Sequence, residues 1–318
     1  MKNNTKNNIN LGVSRCLLGE QVRFDGGHKH NRFITQTLAQ HFNLEPFCPE
    51  LEAGMGMPRP AIHLMKHGKQ IRAVATRNAD HDYTDVLMQQ AKNALSRTEH
   101  LSGFIFKKGS PSCGMERVKL YDENNNFVDQ TSGLFANAVI KHNPLLPCEE
   151  EGRLNDPCLR ESFLERVYIY HEWQQIADEI APADLVRFHS QHKFTLLAHN
   201  ETIYRQLGRL VASTNKANIK EIAGRYILQL MQGIKKPTTA KRHTNVLMHL
   251  LGFLKNWISL EDKHELLHNI DQYRIGHIPL IVPLTLLHYH LKSQPMPYLN
   301  QQSYLQNYPA ALKLRNAV

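Results

Sequence analysis

The chain has 318 residues, of which 42% are hydrophobic and 21% are charged, and this composition excludes a disordered protein. Its length allows two domains. The formal net charge is +9, and the surplus is uneven, because residues 151–318 carry 20 Lys and Arg against 14 Asp and Glu while residues 1–150 carry 18 against 15. A basic balance favours a polyanionic partner such as nucleic acid, and solubility alone is the ordinary alternative.

The chain start does not have the pattern of a secretion signal, and the longest apolar stretch does not have that of a membrane span. Residues 1–10 are polar and rich in Asn, without the apolar core of a signal peptide. The longest apolar stretch, residues 278–287, contains two prolines and is too short to cross a bilayer. We therefore expect a cytoplasmic protein. The five cysteines of such a chain are typical of metal ligands, nucleophiles or buried residues, and not of disulfides.

The first half alternates short apolar runs with helical patterns. Residues 9–14, 44–47 and 103–106 predict strands, and residues 32–41 and 85–95 have helical spacing. Strands that alternate with helices predict a parallel sheet covered by helices, which is a Rossmann-like α/β domain. In such sheets, ligands bind beyond the carboxyl ends of the strands.

The second half shows helical patterns only. One apolar stripe at i, i+3, i+4 spacing covers residues 219–234, and a second covers residues 246–258. Ser259 and Asp262 then have the spacing of a capping box that opens another helix. This half is predicted to be all-α.

A segment with prolines and acidic residues, 143–157, separates the two patterns. We predict an α/β protein with an N-terminal parallel-sheet domain over residues 1–147 and an all-α domain over residues 148–318. The first domain is expected to carry the chemistry, and the second is expected to bind RNA.

Each of the three predicted strands is followed by a cysteine: Cys16, Cys48 and Cys113. If the strands are parallel, the three thiols gather at one edge of the sheet. Gathered thiolates suit zinc or an iron–sulfur cluster. The close Cys pairs that are typical of zinc sites are missing from the sequence, which favours a cluster. On spacing alone, three buried apolar cysteines remain the alternative.

The residues around these cysteines resemble the thiouracil desulfidase family. The resemblance spans about residues 8–145 and rests on three motifs in order, namely Ser-Arg-Cys-Leu-Leu-Gly at 14–19, Cys-Pro-Glu at 48–50 with Pro-Arg-Pro at 58–60, and Lys-Gly-Ser-Pro-Ser-Cys-Gly at 108–114. The second half is similar to the YbgA-like helical domain that often follows this module. Proteins with this fusion resemble bacterial tRNA 4-thiouridine desulfidases.

The resemblance implies a 4Fe–4S cluster held by the three motif cysteines, Cys16, Cys48 and Cys113. One iron would have no protein ligand and would bind the sulfur of the substrate. The resemblance also implies a catalytic carboxylate, Glu50, and a catalytic serine that is either Ser110 or Ser112. Cys148 and Cys158 are expected to be free thiols outside the cluster. After the Pro-Arg-Pro motif the chain continues Ala-Ile-His at 61–63, where many single-domain members have an acidic residue. The resemblance therefore does not predict the substrate contacts of that loop.

The chemistry of these residue types agrees with that reading. To replace C=S by C=O, water must attack the ring carbon and sulfur must leave, and a metal that binds sulfur helps it to leave. A carboxylate can activate the water. An exposed charge or a helix cap is the ordinary alternative for Glu50, and a turn around Pro111 is the alternative for the two serines.

Basic residues of the second half suit phosphate contacts, and the candidates for RNA binding are Arg205, Arg209, Lys235, Lys236, Lys241 and Arg242. The first two lie one helical turn apart. Residues 235–243 are expected in an exposed loop between helices. Tyr298 and Tyr304 are expected to be exposed and able to stack on bases. For any single one of these residues, a solvated surface is the ordinary alternative.

Three functions follow from these patterns. The leading one is an enzyme with a 4Fe–4S cluster that converts 4-thiouridine in tRNA to uridine and releases sulfide, with tRNA as its partner and no protein partner inferred. The first alternative is a desulfidase of free thiouracil or small thionucleotides. The second is an iron–sulfur regulator that binds nucleic acid, which would not accumulate sulfide.

Overall fold

The computed structural model describes residues 9–293, 296–306 and 308–317. The Asn-rich chain start, residues 1–8, lies outside the described residues. The chain divides into two compact units, Met1–Asn155 and Asp156–Val318. Within the described ranges, no helix combines the length and the apolar composition that crossing a bilayer requires.

The first unit is an α/β structure, as predicted. In chain order its strands are β1 (Asn10–Ser14), β2 (Asn43–Phe47), β3 (Ile62–His67), β4 (Gln70–Ala75), β5 (Asn78–Asp82), β6 (Gly103–Phe106), β7 (Val118–Tyr121), β8 (Phe127–Thr131) and β9 (Cys148–Glu150). Its helices are α1 (Pro49–Glu52), α2 (Thr84–Ala94) and α3 (Leu134–His142).

The first sheet contains the three strands that the sequence predicts. Its order is β2–β1–β6–β9, and all its pairings are parallel. The apolar runs are buried, with Leu11, Val13, Phe104 and Phe106 inaccessible to solvent. The predicted parallel sheet is therefore confirmed, and the carboxyl ends of β1, β2 and β6 lie at one edge. The sequence predicts that the first domain ends at residue 147, but Cys148–Glu150 pairs with β6 and belongs to this sheet.

A second sheet, with the order β5–β4–β3–β7–β8, was not predicted. Its β3 and β7 are parallel neighbours, and its other pairings are antiparallel. One face packs on α2 through a small core of Leu64, Ala73, Leu87, Val118 and Leu120. The sequence pattern is weak here because β5 is exposed along its whole length and has no apolar face.

The segment predicted as a helix over residues 32–41 is helical but irregular. The chain there forms a π-helical turn, Phe33–Thr37, followed by a 3-10 turn, Leu38–Gln40. The Thr35 hydroxyl donates to the carbonyl of Asn31 at 3.3 Å, and a bond of this kind competes with regular helix geometry.

The second unit is helical, as predicted. Its helices are α4 (Pro157–Gln174), α5 (Pro182–His199), α6 (Glu201–Ala212), α7 (Ile219–Gly233), α8 (Ala240–Leu254), α9 (Leu260–Arg274), α10 (Ile281–Ser293) and α11 (Pro297–Asn300). The predicted cap of α9 is confirmed, since the Ser259 hydroxyl accepts from the amide of Asp262 at 3.0 Å. The second apolar stripe ends earlier than predicted, because α8 stops at Leu254.

A buried ionic network joins the last residues of the second unit to α4. Arg315 donates to Glu161 at 2.8 Å and to Glu165 at 2.9 Å, and its side chain is 4% exposed. Nε2 of His199 lies 2.7 Å from the Glu165 carboxylate. Burial alone would raise the pKa of Glu165, but Arg315 and His199 outweigh that effect and lower the pKa to about 2. Each charge in this network thus depends on its buried partner.

Removing the cation of this network should destabilise the helical unit strongly. Arg315→Met leaves two carboxylates without their guanidinium partner, and we expect the free energy of unfolding to fall by about 3–5 kcal/mol in urea titrations. Arg274→Met is the matched control, because its ion pair with Asp271 is exposed and contributes about 0–1 kcal/mol. Equal unfolding curves for the two variants would contradict this account.

Candidate active site

The three motif cysteines border one cavity of about 560 Å³ at the carboxyl edge of the first sheet. Cys16 lies in the 3-10 turn that follows β1 directly, Cys48 separates β2 from α1, and Cys113 lies in the turn region after β6. All three side chains are buried. Three distant positions in the sequence therefore meet because three parallel strands end together.

Burial raises the pKa of each of these thiols, and repulsion from a neighbouring thiolate adds to it at Cys16 and Cys113. The pKa of Cys16 is raised to about 11 by burial and by Cys48, against the opposing charges of Lys107 and Arg23. The pKa of Cys113 lies well above its ordinary value because of burial, Cys48 and Glu50. A metal that binds these sulfurs must displace their protons, which couples metal binding to proton release.

The turn that carries Cys113 is held by α3. Amides at the start of α3 donate to the carbonyls of Pro111 and Ser112 at 3.0 Å. A Cβ at Gly133 would meet the Ser112 carbonyl oxygen at 2.6 Å, and one at Gly114 would meet the Val118 side chain at 2.4 Å. Gly133 therefore permits the close approach of the cysteine turn to α3, and Gly114 permits its close packing on Val118 of β7.

Glu50 borders the same cavity and is held at both carboxylate oxygens. Arg59 donates to Oε2 through Nε at 2.9 Å and through its terminal nitrogen at 2.5 Å, and the Ser112 hydroxyl donates to Oε1 at 2.8 Å. Arg59 also donates to the backbone carbonyls of Val22 and Gly56. The Glu50 side chain keeps 14% of its surface exposed, while that of Arg59 keeps 3%. The carboxylate is therefore fixed in orientation and still reaches the cavity.

The two candidate serines have different environments. Ser112 is fully buried, and its hydroxyl is engaged with Glu50. Ser110 borders the cavity, and its oxygen accepts from the amides of Ser112 at 3.3 Å and Cys113 at 3.1 Å. Because both contacts use the Ser110 oxygen as acceptor, its own proton can be donated into the cavity.

The opposite wall of the cavity comes from the second sheet, which sequence reasoning missed. Leu64 pairs with Leu120 and faces the core, so His63, Lys119 and Tyr121 lie on the other face and border the cavity. The sequence feature that could have indicated this sheet is the alternation along β7, where buried Val118 and Leu120 alternate with more exposed neighbours. An alternating pattern of four residues is too short to separate a strand from a loop.

The donor set fits a 4Fe–4S cluster. Among the described residues, no three His, Cys, Asp or Glu side chains converge closely enough to hold a single metal ion. A cubane cluster takes one thiolate at each of several corners, and three thiols around one cavity can supply them. Arg23 and Lys107 lie close enough to Cys16 to offset the charge of its thiolate. Ser14 donates a hydrogen bond to Cys113, which favours its thiolate.

The candidate RNA-binding residues lie on the surface of the helical unit. Arg205 and Arg209 are exposed on α6 and border a surface groove with Lys193, and Arg205 is paired with Glu201 at 2.6 Å. Lys235 and Lys236 are exposed between α7 and α8. Exposure makes these residues accessible to a phosphate backbone, and their role stays a prediction.

The predicted loop over residues 235–243 is shorter than expected, because α8 begins at Ala240. Lys241 and Arg242 are exposed in the first turn of that helix, and Arg242 donates to the carbonyl of His199 at 2.6 Å. The prediction that Tyr304 is exposed is wrong. Its side chain is buried, and its hydroxyl lies 2.8 Å from Nδ1 of His243. Tyr298 is half-buried, so the predicted pair of free stacking rings is not formed.

Comparison with known proteins identifies the two halves. Residues 11–151 match the family described as 2-thiouracil desulfurase, and residues 193–309 match DUF1722, a family of proteins of unknown function. The uncharacterized protein YbgA of Escherichia coli (strain K12) is 30% identical over 159 residues, which are 49% of this chain and 94% of that protein. The chain belongs to the family of YbgA, and it joins a 2-thiouracil desulfurase domain to a YbgA-like domain. The resemblance seen in the sequence motifs is therefore confirmed.

Every residue that borders the cavity falls within the 2-thiouracil desulfurase match, which covers residues 11–151. A solved structure named as the [4Fe-4S]-dependent thiouracil desulfidase TudS is similar to part of this chain. It is 26% identical and covers 46% of this chain and 94% of that chain, with a TM-score of 0.36.

Proposed function

We propose that this protein is a 4Fe–4S-dependent desulfidase that converts 4-thiouridine in tRNA to uridine and releases sulfide. The observation that carries the proposal is the meeting of the three motif cysteines and Glu50 around one cavity of a 2-thiouracil desulfurase domain. Family membership makes C–S bond cleavage the class of reaction, and the reaction exchanges one sulfur of the substrate for one oxygen of water.

Cys16, Cys48 and Cys113 would hold the cluster, which the thiol donor set and the neighbouring cations fit. With three protein ligands, one iron would supply a Lewis acid that polarises the C–S bond and accepts the departing sulfur. The other steps fall to the side chains around the cavity.

Glu50 is suited to take a proton from the attacking water. A carboxylate offers about four lone-pair positions. Arg59 occupies two of them on Oε2, and Ser112 occupies one on Oε1. Oε1 therefore keeps one acceptor position, and Glu50 still has surface on the cavity. Water bound there would be activated for attack on the ring carbon.

The motif leaves open whether Ser110 or Ser112 is the catalytic serine. This proposal gives the two residues different roles. Ser110 is the catalytic serine, because its hydroxyl borders the cavity and has a proton to donate to the substrate. Ser112 is a positioning residue, because it is fully buried and donates to Glu50.

The cavity wall supports a substrate that carries phosphate. Lys29, Lys108, Arg117 and Lys119 border the cavity and make no ion pair of 4.0 Å or less with a carboxylate of the described residues. A free nucleobase gains little from such cations, whereas a nucleotide gains a phosphate contact. In tRNA the exposed cations of the helical unit would add contacts to the backbone. The thiolated base must also leave its stack to reach the cavity.

Small thionucleotides are the second candidate substrates, and the same four cations favour them over free thiouracil. The two candidates differ in their need for the helical unit. A mononucleotide offers one phosphate group, whereas tRNA offers a whole backbone to the cations of the helical unit. Turnover of tRNA and of 4-thiouridine monophosphate therefore separates the two candidates.

The cluster can be tested by metal analysis. Anaerobically purified protein should contain about four iron and four acid-labile sulfide per chain. Cys16→Ala, Cys48→Ala and Cys113→Ala should each lose them, because each removes one of three thiolates. Cys148→Ala and Cys158→Ala are the matched controls and should retain them. Stoichiometric zinc without acid-labile sulfide would contradict the prediction of a 4Fe–4S cluster.

The role of Glu50 can be tested by Glu50→Gln, which keeps the shape and removes the base. We expect unchanged iron content and a fall in kcat of roughly 10²–10⁴-fold. Glu52→Gln is the control, since its carboxylate engages Arg97, Gln90 and the Cys48 amide and does not border the cavity. A Glu50→Gln enzyme with normal turnover would remove this residue from the mechanism.

The role of the helical unit can be tested by salt and by charge removal. Binding of tRNA should weaken steeply with salt because phosphate contacts release counterions. A variant with Lys235, Lys236, Lys241 and Arg242 all changed to Gln should raise the KM for tRNA and leave that for 4-thiouridine monophosphate unchanged. The charge-matched control changes four exposed cations elsewhere on the unit, Lys216, Lys220, Arg225 and Lys255. Equal KM values for the two variants would place the RNA surface elsewhere.

A further inference from the structure

His63 is an unusual residue of the cavity wall. It lies on β3 four residues after Arg59, and so follows the loop that positions Glu50. Its ring borders the cavity that the three motif cysteines and Glu50 also border. The ring packs edge-on against Tyr121 of the neighbouring strand, with 5.3 Å between centroids and 82° between planes. This contact packs the ring against the wall of the cavity.

Neither ring nitrogen of His63 has a hydrogen-bond partner among the described residues, although both are shielded from solvent. Buried polar atoms in folded proteins are nearly always paired, and leaving one unpaired costs stability. An apolar ring of the same size would pack at this position without leaving a polar atom unpaired. The arrangement therefore indicates a residue whose partner arrives with a ligand.

The ring chemistry defines that ligand. Burial lowers the pKa of His63, so at neutral pH the ring is uncharged, with one nitrogen as donor and the other as acceptor. The χ2 torsion of a histidine has broad minima, so the ring can turn and present a nitrogen to the cavity. A thiolated pyrimidine carries a ring N–H, N3–H, directly beside its thiocarbonyl carbon. That donor matches the free acceptor nitrogen.

We infer that His63 accepts a hydrogen bond from N3–H of the thiolated pyrimidine and so selects the base within the cavity. The inference rests on the proposed function, because it assigns the group that reads the substrate of that reaction.

The test compares His63→Phe, which keeps the ring size, with His63→Gln, which keeps a polar acceptor. With the full chain carrying its cluster, His63→Phe should raise the KM for 4-thiouridine about tenfold, and His63→Gln should recover most of the loss. The parent should discriminate against 3-methyl-4-thiouridine, which lacks N3–H, and His63→Phe should not. His67→Phe on the same strand is the control, since His67 pairs with Glu123 outside the cavity.

Stability gives an independent readout. Removing unpaired buried nitrogens should raise the Tm of His63→Phe by about 2–4 °C, whereas loss of a structural histidine would lower it. A lower Tm, or a KM equal to that of the parent, overturns the inference.

Binding of uridine, which retains N3–H, separates this inference from the proposed function. A parent that binds uridine without turning over any thiolated base refutes the desulfidase, and weaker uridine binding by His63→Phe would still support the base contact. A parent that neither binds uridine nor turns over thiolated bases refutes both.

Discussion

Parallel pairing is the constraint on which the site depends. β1 pairs with β2 on one side and with β6 on the other, and all three strands run in the same direction. Their carboxyl ends therefore lie side by side, and the residue that follows each strand enters the same space. Thiols separated by 32 and 65 residues in the chain come to border one cavity for this reason. An antiparallel arrangement of the same strands would have placed Cys16 and Cys48 at opposite edges.

The polar groups at the cavity are held by contacts that lie behind its surface. Glu50 is oriented by Arg59 and Ser112, which are both more deeply buried than the carboxylate itself. Ser14 links the β6 end to Cys113, because its oxygen accepts from the Lys107 amide at 2.9 Å while its hydroxyl donates to the thiol. Such contacts restrict the rotamers of the groups that meet the substrate, and positioning of this kind supports catalysis.

The two units place their charges differently. In the first unit, cations line a concave surface around a single carboxylate, which favours an anionic substrate in the cavity. In the helical unit, the buried cation Arg315 is paired with two carboxylates. The candidate RNA-binding residues are exposed on α6, on α8 and between α7 and α8, where water and phosphate can reach them.

Local patterns in the sequence determined the elements with strong periodicity. The buried runs of β1, β2 and β6, the stripes of α7 and α8, and the Ser259 cap were all readable, because burial of one face imposes a period on the chain. The three cysteine motifs likewise identified the 2-thiouracil desulfurase domain. Only the tertiary structure decided what surrounds them. The second sheet has short, half-exposed strands whose pattern is too weak to read, so the wall carrying His63 and Lys119 was missed.

Tyr304 was misplaced because burial of a polar ring depends on a partner, His243, that lies 61 residues away. The separate environments of Ser110 and Ser112, two residues apart in one motif, follow from the packing of α3 and Glu50 around their turn, which no local pattern encodes.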